Sequence, residues 1–183
     1  MVTRREQILA VAAGLFAERG FHGVSVADLG AACGISGPAL YKHFPSKDAM
    51  LAEMLVGISE ELLRVGLDRS AHAADATAAL RSLIAWHVDF ALGHEPLIVV
   101  QDRDWTSLPA QARDRVRDLQ RRYVDVWAGR LQQVHHGLGR QEARAMAHAT
   151  FGLINSTPHS SRLPADAMRV LLSQMAQRAL RLP

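Results

Sequence analysis

Apolar and polar residues follow the spacing of amphipathic α-helices along most of the chain, and the alternation typical of strands is nearly absent. The apolar positions of the first segment fall on one helical face, and they are Ile8, Leu9, Ala12, Leu15 and Phe16. Thr3 and Glu6 have the spacing of a capping box, and Gly20 is suited to ending a helix. The pattern therefore predicts a first helix from about Arg4 to Arg19.

Two short helices joined by a tight turn are predicted next. Ser25 and Asp28 repeat the capping pattern at the start of the second helix. Gly34 permits the left-handed backbone that a tight turn needs, while Ser36 caps the third helix and Pro45 ends it. Such a pair is typical of a helix-turn-helix, whose second helix enters the major groove of DNA.

The remainder of the chain predicts six further helical segments, which gives about nine helices and an all-α fold. These segments cover about 46–67, 80–91, 97–101, 109–136, 141–155 and 164–180. We divide the chain into a helix-turn-helix domain, residues 1–46, and a larger helical domain, residues 47–183.

The composition narrows the class of protein. The 183 residues are 49% apolar and 21% charged, which suits a soluble domain with a substantial core. A net charge of +3 permits a nucleic-acid partner without requiring one. The single cysteine, Cys33, excludes an intramolecular disulfide and fits a reducing cytosol. No apolar run approaches the roughly 18 residues of a membrane span, so we expect a cytoplasmic protein without a membrane partner.

The stretch LFAERGFHGVSVADLGAACGISGPALYKHFPSKDAML, together with the helix count, resembles the tetracycline-repressor (TetR/AcrR) family of bacterial transcriptional regulators. The resemblance is specific over residues 3–50, and beyond them it lies more in the helical plan than in the sequence. It implies a three-helix DNA-binding domain followed by a helical domain for effector binding and dimerisation. The implied function is that of a repressor that binds a palindromic operator as a dimer and is released by a small molecule.

The residues expected to meet DNA surround the third helix. The resemblance implies phosphate contacts, at matching family positions, from Ser25, Tyr41, His43 and Lys47. The remaining DNA contacts, base reading included, are expected from Ser36, Gly37, Pro38, Ala39 and Lys42. Lys42 can donate to guanine, and Ala39 can contact a thymine methyl group. Gly37 lacks the long polar side chain that some family members carry, so we expect direct readout to be thin and DNA shape to matter more.

An effector cavity is expected among the fourth to seventh helices, because ligand sites favour aromatic linings with a few polar groups. The candidate lining residues are Trp86, Phe90, Leu97, Trp105, Tyr123 and Trp127. The last two helices are candidates for a dimer interface, through Met146, Phe151, Met168, Leu171, Leu172 and Met175. Ordinary packing in the core of one protomer remains the alternative for both sets.

The effector is expected to be a small apolar or amphipathic molecule. An acyl-CoA is one candidate, because a faint likeness to regulators of lipid catabolism accompanies a group of arginines that could bind phosphates. These are Arg113, Arg115, Arg117, Arg121 and Arg122. The alternative is that they form a solvated face with neighbouring acidic residues.

No metal or other cofactor is expected, because the nine histidines lack the spacing of a zinc site. Two other classes of protein stay open as alternatives, a helical enzyme and a helical bundle that binds ligands or proteins without binding DNA. The sequence shows no nucleophile–base set, carboxylate pair or phosphate-binding loop that would favour the enzyme.

Overall fold

The computed structural model describes residues 3–160 and 163–183, and within these residues the chain is all-α, with no strand. Nine α-helices of seven or more residues lie in this part of the chain. They are α1 Arg4–Arg19, α2 Val26–Cys33, α3 Gly37–His43, α4 Lys47–Ala71, α5 Ala76–Gly93, α6 Glu95–Arg103, α7 Ala110–Val134, α8 Arg140–Ile154 and α9 Ala165–Ala179. A 3-10 turn, Trp105–Ser107, precedes α7, and a four-residue helical turn, Thr157–Ser160, follows α8. The predicted fold class and helix count are confirmed.

Local capping explains where the first two helices begin. The hydroxyl of Thr3 accepts the amide hydrogen of Glu6, whose carboxylate accepts the amide hydrogen of Thr3 at 2.6 Å. The same reciprocal pair joins Ser25 and Asp28. Hydrogen bonds from Thr3 and Ser25 lower the pKa values of the two carboxyl groups below their usual ranges.

The starts of two helices in the middle of the chain lie before the predicted segments, and local sequence explains both. The side chain of Asp75 accepts the amide hydrogen of Ala78 at 2.8 Å, so α5 begins four residues earlier than the apolar pattern indicates. Pro96 lies in the first turn of α6, where a missing amide hydrogen breaks no helical bond. The segment predicted over 97–101 is therefore a nine-residue helix.

The described chain forms two compact units. The N-terminal unit comprises Met1–Ile58 with Pro96–Val116, and the C-terminal unit comprises Ser59–Glu95 with Arg117–Pro183. The predicted division between residues 46 and 47 separates a DNA-binding domain from an effector-binding domain, and it stays a prediction.

The core of the N-terminal unit is built by the inner faces of its helices. Its buried residues include Ile8, Phe16, Leu29, Leu40, Phe44, Leu51, Val100, Leu108 and Val116. The apolar positions predicted for one face of α1 supply part of this core. It also holds the short helices α2 and α3, each of which turns one leucine inward.

In the C-terminal unit, α9 packs on α5 and α8. Arg169 of α9 donates to the carboxylate of Asp89 on α5 at 2.7 Å. The hydroxyl of Thr157 donates to the backbone oxygen of Ala91 at 3.1 Å. Among the described residues no single helix is long and apolar enough to cross a membrane, and α5 and α6 pass that test only when taken together as a broken pair.

Candidate nucleic-acid interface

The turn between α2 and α3 depends on two glycines. Gly34 has φ 66° and ψ 32°, the left-handed conformation, as its position in the sequence predicts. A Cβ atom on Gly30 would lie 2.8 Å from the backbone oxygen of Ile35, so the turn packs directly on α2. The amide of Ile35 also donates to the backbone oxygen of Gly30 at 2.9 Å. The angle between the two helices is therefore set by contacts between backbone atoms.

Helix α3 buries one residue and exposes a surface suited to DNA. Leu40 is 2% exposed, whereas Tyr41 is 54% exposed. The hydroxyl of Ser36 caps the helix by accepting the amide hydrogen of Ala39 at 3.3 Å. Of the residues expected to meet DNA, the exposed ones are Ser25, Ser36, Pro38, Tyr41 and Lys42. The half-buried ones are Gly37, Ala39, His43 and Lys47.

The hydroxyl of Ser25 already has partners within the protein. It donates to the carboxylate of Asp28 at 2.5 Å and accepts the amide hydrogen of the same residue at 3.1 Å. A phosphate near this position would therefore meet the free amides of the first turn of α2 more readily than the hydroxyl hydrogen.

Lys47 has a structural role that its place in the motif does not indicate. Its ammonium nitrogen donates to the backbone oxygens of Phe21 and Val24, each at 2.7 Å. The same nitrogen lies 4.4 Å from the centre of the Phe21 ring. These contacts join the start of α4 to the loop before α2, and they leave one of the three ammonium hydrogens for a phosphate.

A basic side chain binds the last carbonyl groups of each of the first three helices. Arg103 donates to the backbone oxygens of Phe16 and Ala17 at the end of α1. Arg4 donates to the backbone oxygen of Cys33 at the end of α2, at 2.5 Å. Arg5 donates to the backbone oxygen of His43 at the end of α3. Cations stabilise these positions because a helix carries partial negative charge at its C-terminus.

These interactions leave few free cations on the surface. Arg19 lies 3.8 Å from Glu18, and Arg4, Arg5 and Lys47 have the partners described above. Within residues 3–50, Lys42 is the one lysine or arginine without a partner in the protein. Sequence reasoning missed this because the partners of Arg4, Arg5 and Lys47 lie between 23 and 48 positions away.

A buried aromatic cluster lies in the C-terminal unit, where the effector was expected. The rings of His87 and Phe151 stack at 4.6 Å between centroids, and those of Tyr123 and Phe151 at 5.4 Å. The ring of Trp127 meets Phe151 edge-on at 4.9 Å. One nitrogen of His87 lies 3.1 Å from the side-chain oxygen of Asn155, and the other lies 3.4 Å from the Tyr123 hydroxyl.

Burial governs the ionisation of this cluster. It lowers the pKa of His87 to about 4, against the opposing effect of the bond to Asn155. It also raises the pKa of the Tyr123 hydroxyl well above its usual range. The cluster is therefore uncharged at physiological pH and contains polar groups. His87 and Asn155 belong to it, although the aromatic pattern of the sequence did not reveal them.

The predicted lining residues do not all meet at one place. Phe90, Tyr123 and Trp127 make ring contacts in this cluster. Trp86 lies elsewhere on α5, with the guanidinium of Arg69 5.5 Å from its ring centre. Leu97 and Trp105 pack instead against the core of the N-terminal unit, because they follow the break after α5.

The residues predicted for a dimer interface divide in a similar way. On α8, Phe151 lies in the aromatic cluster and Met146 is half-buried. On α9, Met168 and Leu172 are each 3% exposed, because their face of the helix packs within its own unit. Leu171 and Met175 are 41% and 43% exposed. The neighbouring Val170, which the sequence interpretation left out, is 56% exposed. The exposed apolar face of α9 is therefore formed by Val170, Leu171 and Met175.

The five arginines at the start and middle of α7 interact with the protein itself. Arg121 and Arg122 both approach the carboxylate of Asp118, and Arg113 donates to the backbone oxygen of Thr106 at 3.3 Å. Arg115 and Arg117 also have interactions of their own. No group of three or more His, Cys, Asp or Glu side chains suited to a metal ion occurs in the described ranges.

Two family models match the chain. Residues 8–54 match the model described as bacterial regulatory proteins of the tetR family, and residues 73–159 match the tetracyclin repressor-like C-terminal domain. The chain is 30% identical over 130 residues to the HTH-type transcriptional repressor KstR2 of Rhodococcus jostii strain RHA1. This match covers 70% of the chain and 64% of KstR2, so the chain spans just under two thirds of that relative.

Solved structures share the whole fold. A TetR-family transcriptional regulator from Bordetella parapertussis 12822 superposes with a TM-score of 0.85 at 24% identity, covering 96% of this chain and 93% of that one. AibR in complex with isovaleryl coenzyme A and operator DNA superposes with a TM-score of 0.76 at 22% identity, covering 94% and 97%. At these identities the likeness shows a common fold. The two family matches and the nine-helix fold together establish that the chain belongs to the tetR family of bacterial regulatory proteins.

Proposed function

We propose that this protein is a transcriptional repressor that binds an operator as a homodimer and leaves it when a small-molecule effector binds. The observation that carries the proposal is the exposed surface of α3, with Tyr41 and Lys42 directed outward and Leu40 anchored in the core. KstR2 is named a repressor, and AibR was solved with operator DNA and a coenzyme A thioester. These names support the proposal, as does family membership.

In this proposal α3 lies in the major groove and Lys42 reads bases. Tyr41 and His43 contact the flanking phosphates, together with the amides at the start of α2 and the remaining hydrogen of Lys47. Within residues 3–50, Arg5 and Arg19 lie beside carboxylates, whereas Arg4, Lys42 and Lys47 have no carboxylate partner, so few cations are released from DNA on binding. Affinity is therefore expected to fall less steeply with salt than for a repressor with many basic contacts.

A dimer is proposed because one helix-turn-helix of this size covers a single half-site. Val170, Leu171 and Met175 form an exposed apolar face on α9. Together with the exposed small residues of α8, Ala145, Ala149 and Gly152, they offer a surface that a second copy would cover. The protein would act in the cytoplasm, where its operator lies.

The effector is proposed to be amphipathic with an acidic or strongly accepting group. Arg69 is half-buried, and its hydrogen bonds go to the backbone and hydroxyl oxygens of Ser82, both at the long distance of 3.4 Å. The indole nitrogen of Trp86 is buried without an acceptor among the described residues. A cation and an unpaired donor side by side suit a carboxylate or thioester ligand, and an acyl-CoA remains one candidate.

Release from DNA would be transmitted by α4. This single helix carries Lys47 in its first turn and Arg69 in its last turn, so a ligand that displaces one end would disturb the other. We regard the protein as a regulator without enzymatic activity. No observation favours the alternatives of an enzyme or a ligand-binding bundle without DNA binding.

Selection of DNA tests this function directly. The full chain is incubated with random-sequence duplexes, and the bound DNA is recovered and sequenced over several rounds. We expect enrichment of an inverted repeat whose half-sites are separated by about 10 base pairs or a multiple of that distance. Lys42→Ala is expected to change the preferred bases within the half-site.

The matched control is Arg64→Ala, which removes the same charge from an exposed position on α4. It is expected to leave the preferred sequence unchanged. Failure of the unmodified protein to enrich any sequence would contradict the proposal.

A further inference from the structure

We propose that Arg5 is a positioning residue for the recognition helix and acts through Glu53 of α4. The inference rests on the proposed function, since it concerns how α3 is held for reading DNA. Nothing in the helix-turn-helix pair itself indicates it, because Arg5 lies in α1, before both helices of that pair.

The guanidinium of Arg5 makes three hydrogen bonds at the end of α3. Its Nε donates to one carboxylate oxygen of Glu53 at 2.7 Å, and its Nη2 donates to the other at 2.5 Å. Its Nη1 donates to the backbone oxygen of His43, the last residue of α3. The paired bonds to Glu53 use the fork geometry that arginine has and lysine lacks.

The ring of Phe44 fixes the plane of this guanidinium. The central carbon of Arg5 lies 4.2 Å from the ring centre, and Phe44 is 1% exposed in the core. A planar cation between a buried ring, a carboxylate and a carbonyl has little freedom to rotate. Arg5 of α1 therefore joins the end of α3, and the Phe44 ring that directly follows it, to α4.

Helix α3 needs such support because it has only seven residues. Helices this short are unstable in isolation, and their geometry depends on tertiary contacts. Ser36 holds the first turn and Leu40 holds the middle. The last turn carries Tyr41 and Lys42, and Arg5 is the side chain that binds its terminal carbonyl group.

A direct contact between Arg5 and a phosphate is the rival role. The structure disfavours it, because three of the five N–H groups of Arg5 are used and the adjacent carboxylate neutralises its charge. A phosphate approaching this pair would also meet the negative charge of Glu53. The two roles lead to opposite expectations when that charge is removed.

The variant Glu53→Gln distinguishes the positioning role of Arg5 from a direct phosphate contact. Removing a negative charge near DNA raises affinity for every duplex if charge alone matters. If Glu53 orients Arg5, selectivity for the enriched duplex over a scrambled duplex of the same composition is expected to fall about tenfold, comparable to one mismatched base pair. The dependence of affinity on salt is expected to stay unchanged. Fluorescence anisotropy on both duplexes over a range of salt concentrations measures all three quantities.

Arg5→Lys provides the second variant, because it keeps the charge and loses the fork. It is expected to show the same loss of selectivity with the same salt dependence. Glu61→Gln is the matched control, with the same charge change at an exposed position of α4, and its selectivity is expected to equal that of the unmodified protein. Circular dichroism melts set a measuring temperature at which every variant is folded.

The outcomes distinguish this inference from the proposed function. If the unmodified protein enriches no sequence, the proposed function fails. If it enriches one and both Glu53→Gln and Arg5→Lys keep full selectivity, the positioning role of Arg5 is wrong. A steeper salt slope for Glu53→Gln together with unchanged selectivity would assign Arg5 to phosphate binding instead, because that variant frees the charge of Arg5.

Discussion

Several side chains in this protein stabilise the fold at the surface that we propose faces DNA. The resemblance predicts a phosphate contact for Lys47, and its ammonium group also fixes the loop before α2. Ser25 likewise caps α2 while it faces solvent. Their places in the helix-turn-helix could be predicted from local spacing. The spacing also predicted the partner of Ser25, which is Asp28. The partners of Lys47 could not be predicted, because contacts over more than 20 positions leave no local pattern in the sequence.

His87 makes the stability of the protein dependent on pH. Its pKa is lowered to about 4 by burial, whereas an unfolded chain binds the same proton near 6.5. Between these values the unfolded state holds more protons than the folded state, so stability falls as the pH decreases. The loss amounts to at most about 3 kcal/mol by pH 4, and above pH 6.5 the contribution of His87 is complete.

Urea unfolding at a series of pH values measures this effect. The matched variant is His87→Gln, which retains a polar side chain and cannot take up the proton. We expect the unmodified protein to lose stability more steeply than the variant between pH 6.5 and pH 4. Parallel curves for the two proteins would show that another group is responsible.

Three helix starts could be predicted because a residue caps its own helix, but one such cap and the start of α6 were misjudged. Thr3, Ser25 and Ser36 were recognised from the sequence, and each forms its expected cap. Asp75 was overlooked because alanines follow it and leave the apolar pattern weak. The segment predicted over 97–101 left out Pro96, although Pro96 lies in the first turn of a helix that packs into the N-terminal unit.

The close packing of the turn on α2 gives a prediction for one element. Gly30→Ala would place a methyl group 2.8 Å from the backbone oxygen of Ile35, which is part of the turn and cannot move aside cheaply. We expect a loss of about 1–3 kcal/mol in the free energy of unfolding and weaker binding to the enriched duplex.

Gly37→Ala is the matched control for stability, because nothing lies within 4 Å of its added methyl group. Alanine is the better helix former, so its effect is expected to lie between zero and about 1 kcal/mol of stabilisation. Equal stabilities for the two variants in chemical denaturation would refute the packing argument.

The whole molecule could be assigned to its class from the N-terminal motif, while the larger part of the chain was predicted only in outline. The helix count was correct, because amphipathic periodicity is a local property. The residues predicted for the effector and for the dimer were drawn from apolar stripes, and such stripes do not distinguish a core from an exposed face. Met168 shows this, since it belongs to the same stripe as Leu171 and is buried in its own protomer.

In the proposed function, a dimer presents two copies of α3 to one duplex. Tyr41 is the most accessible probe of this arrangement, because its ring is 54% exposed on the face assigned to DNA. Val11 is the matched position, an apolar residue of α1 that is 38% exposed in the same unit. A photo-reactive phenylalanine analogue can replace either residue without adding charge.

Irradiation of each labelled protein with the enriched duplex is the most direct measurement. We expect position 41 to form covalent adducts that carry two protomers per duplex. The yield of these adducts is expected to fall when unlabelled duplex competes, and no adduct is expected with a scrambled duplex. Position 11 is expected to give none. Adducts from position 11 without adducts from position 41, or adducts from position 41 that ignore the sequence of the DNA, would contradict the assignment of α3 as the reading helix.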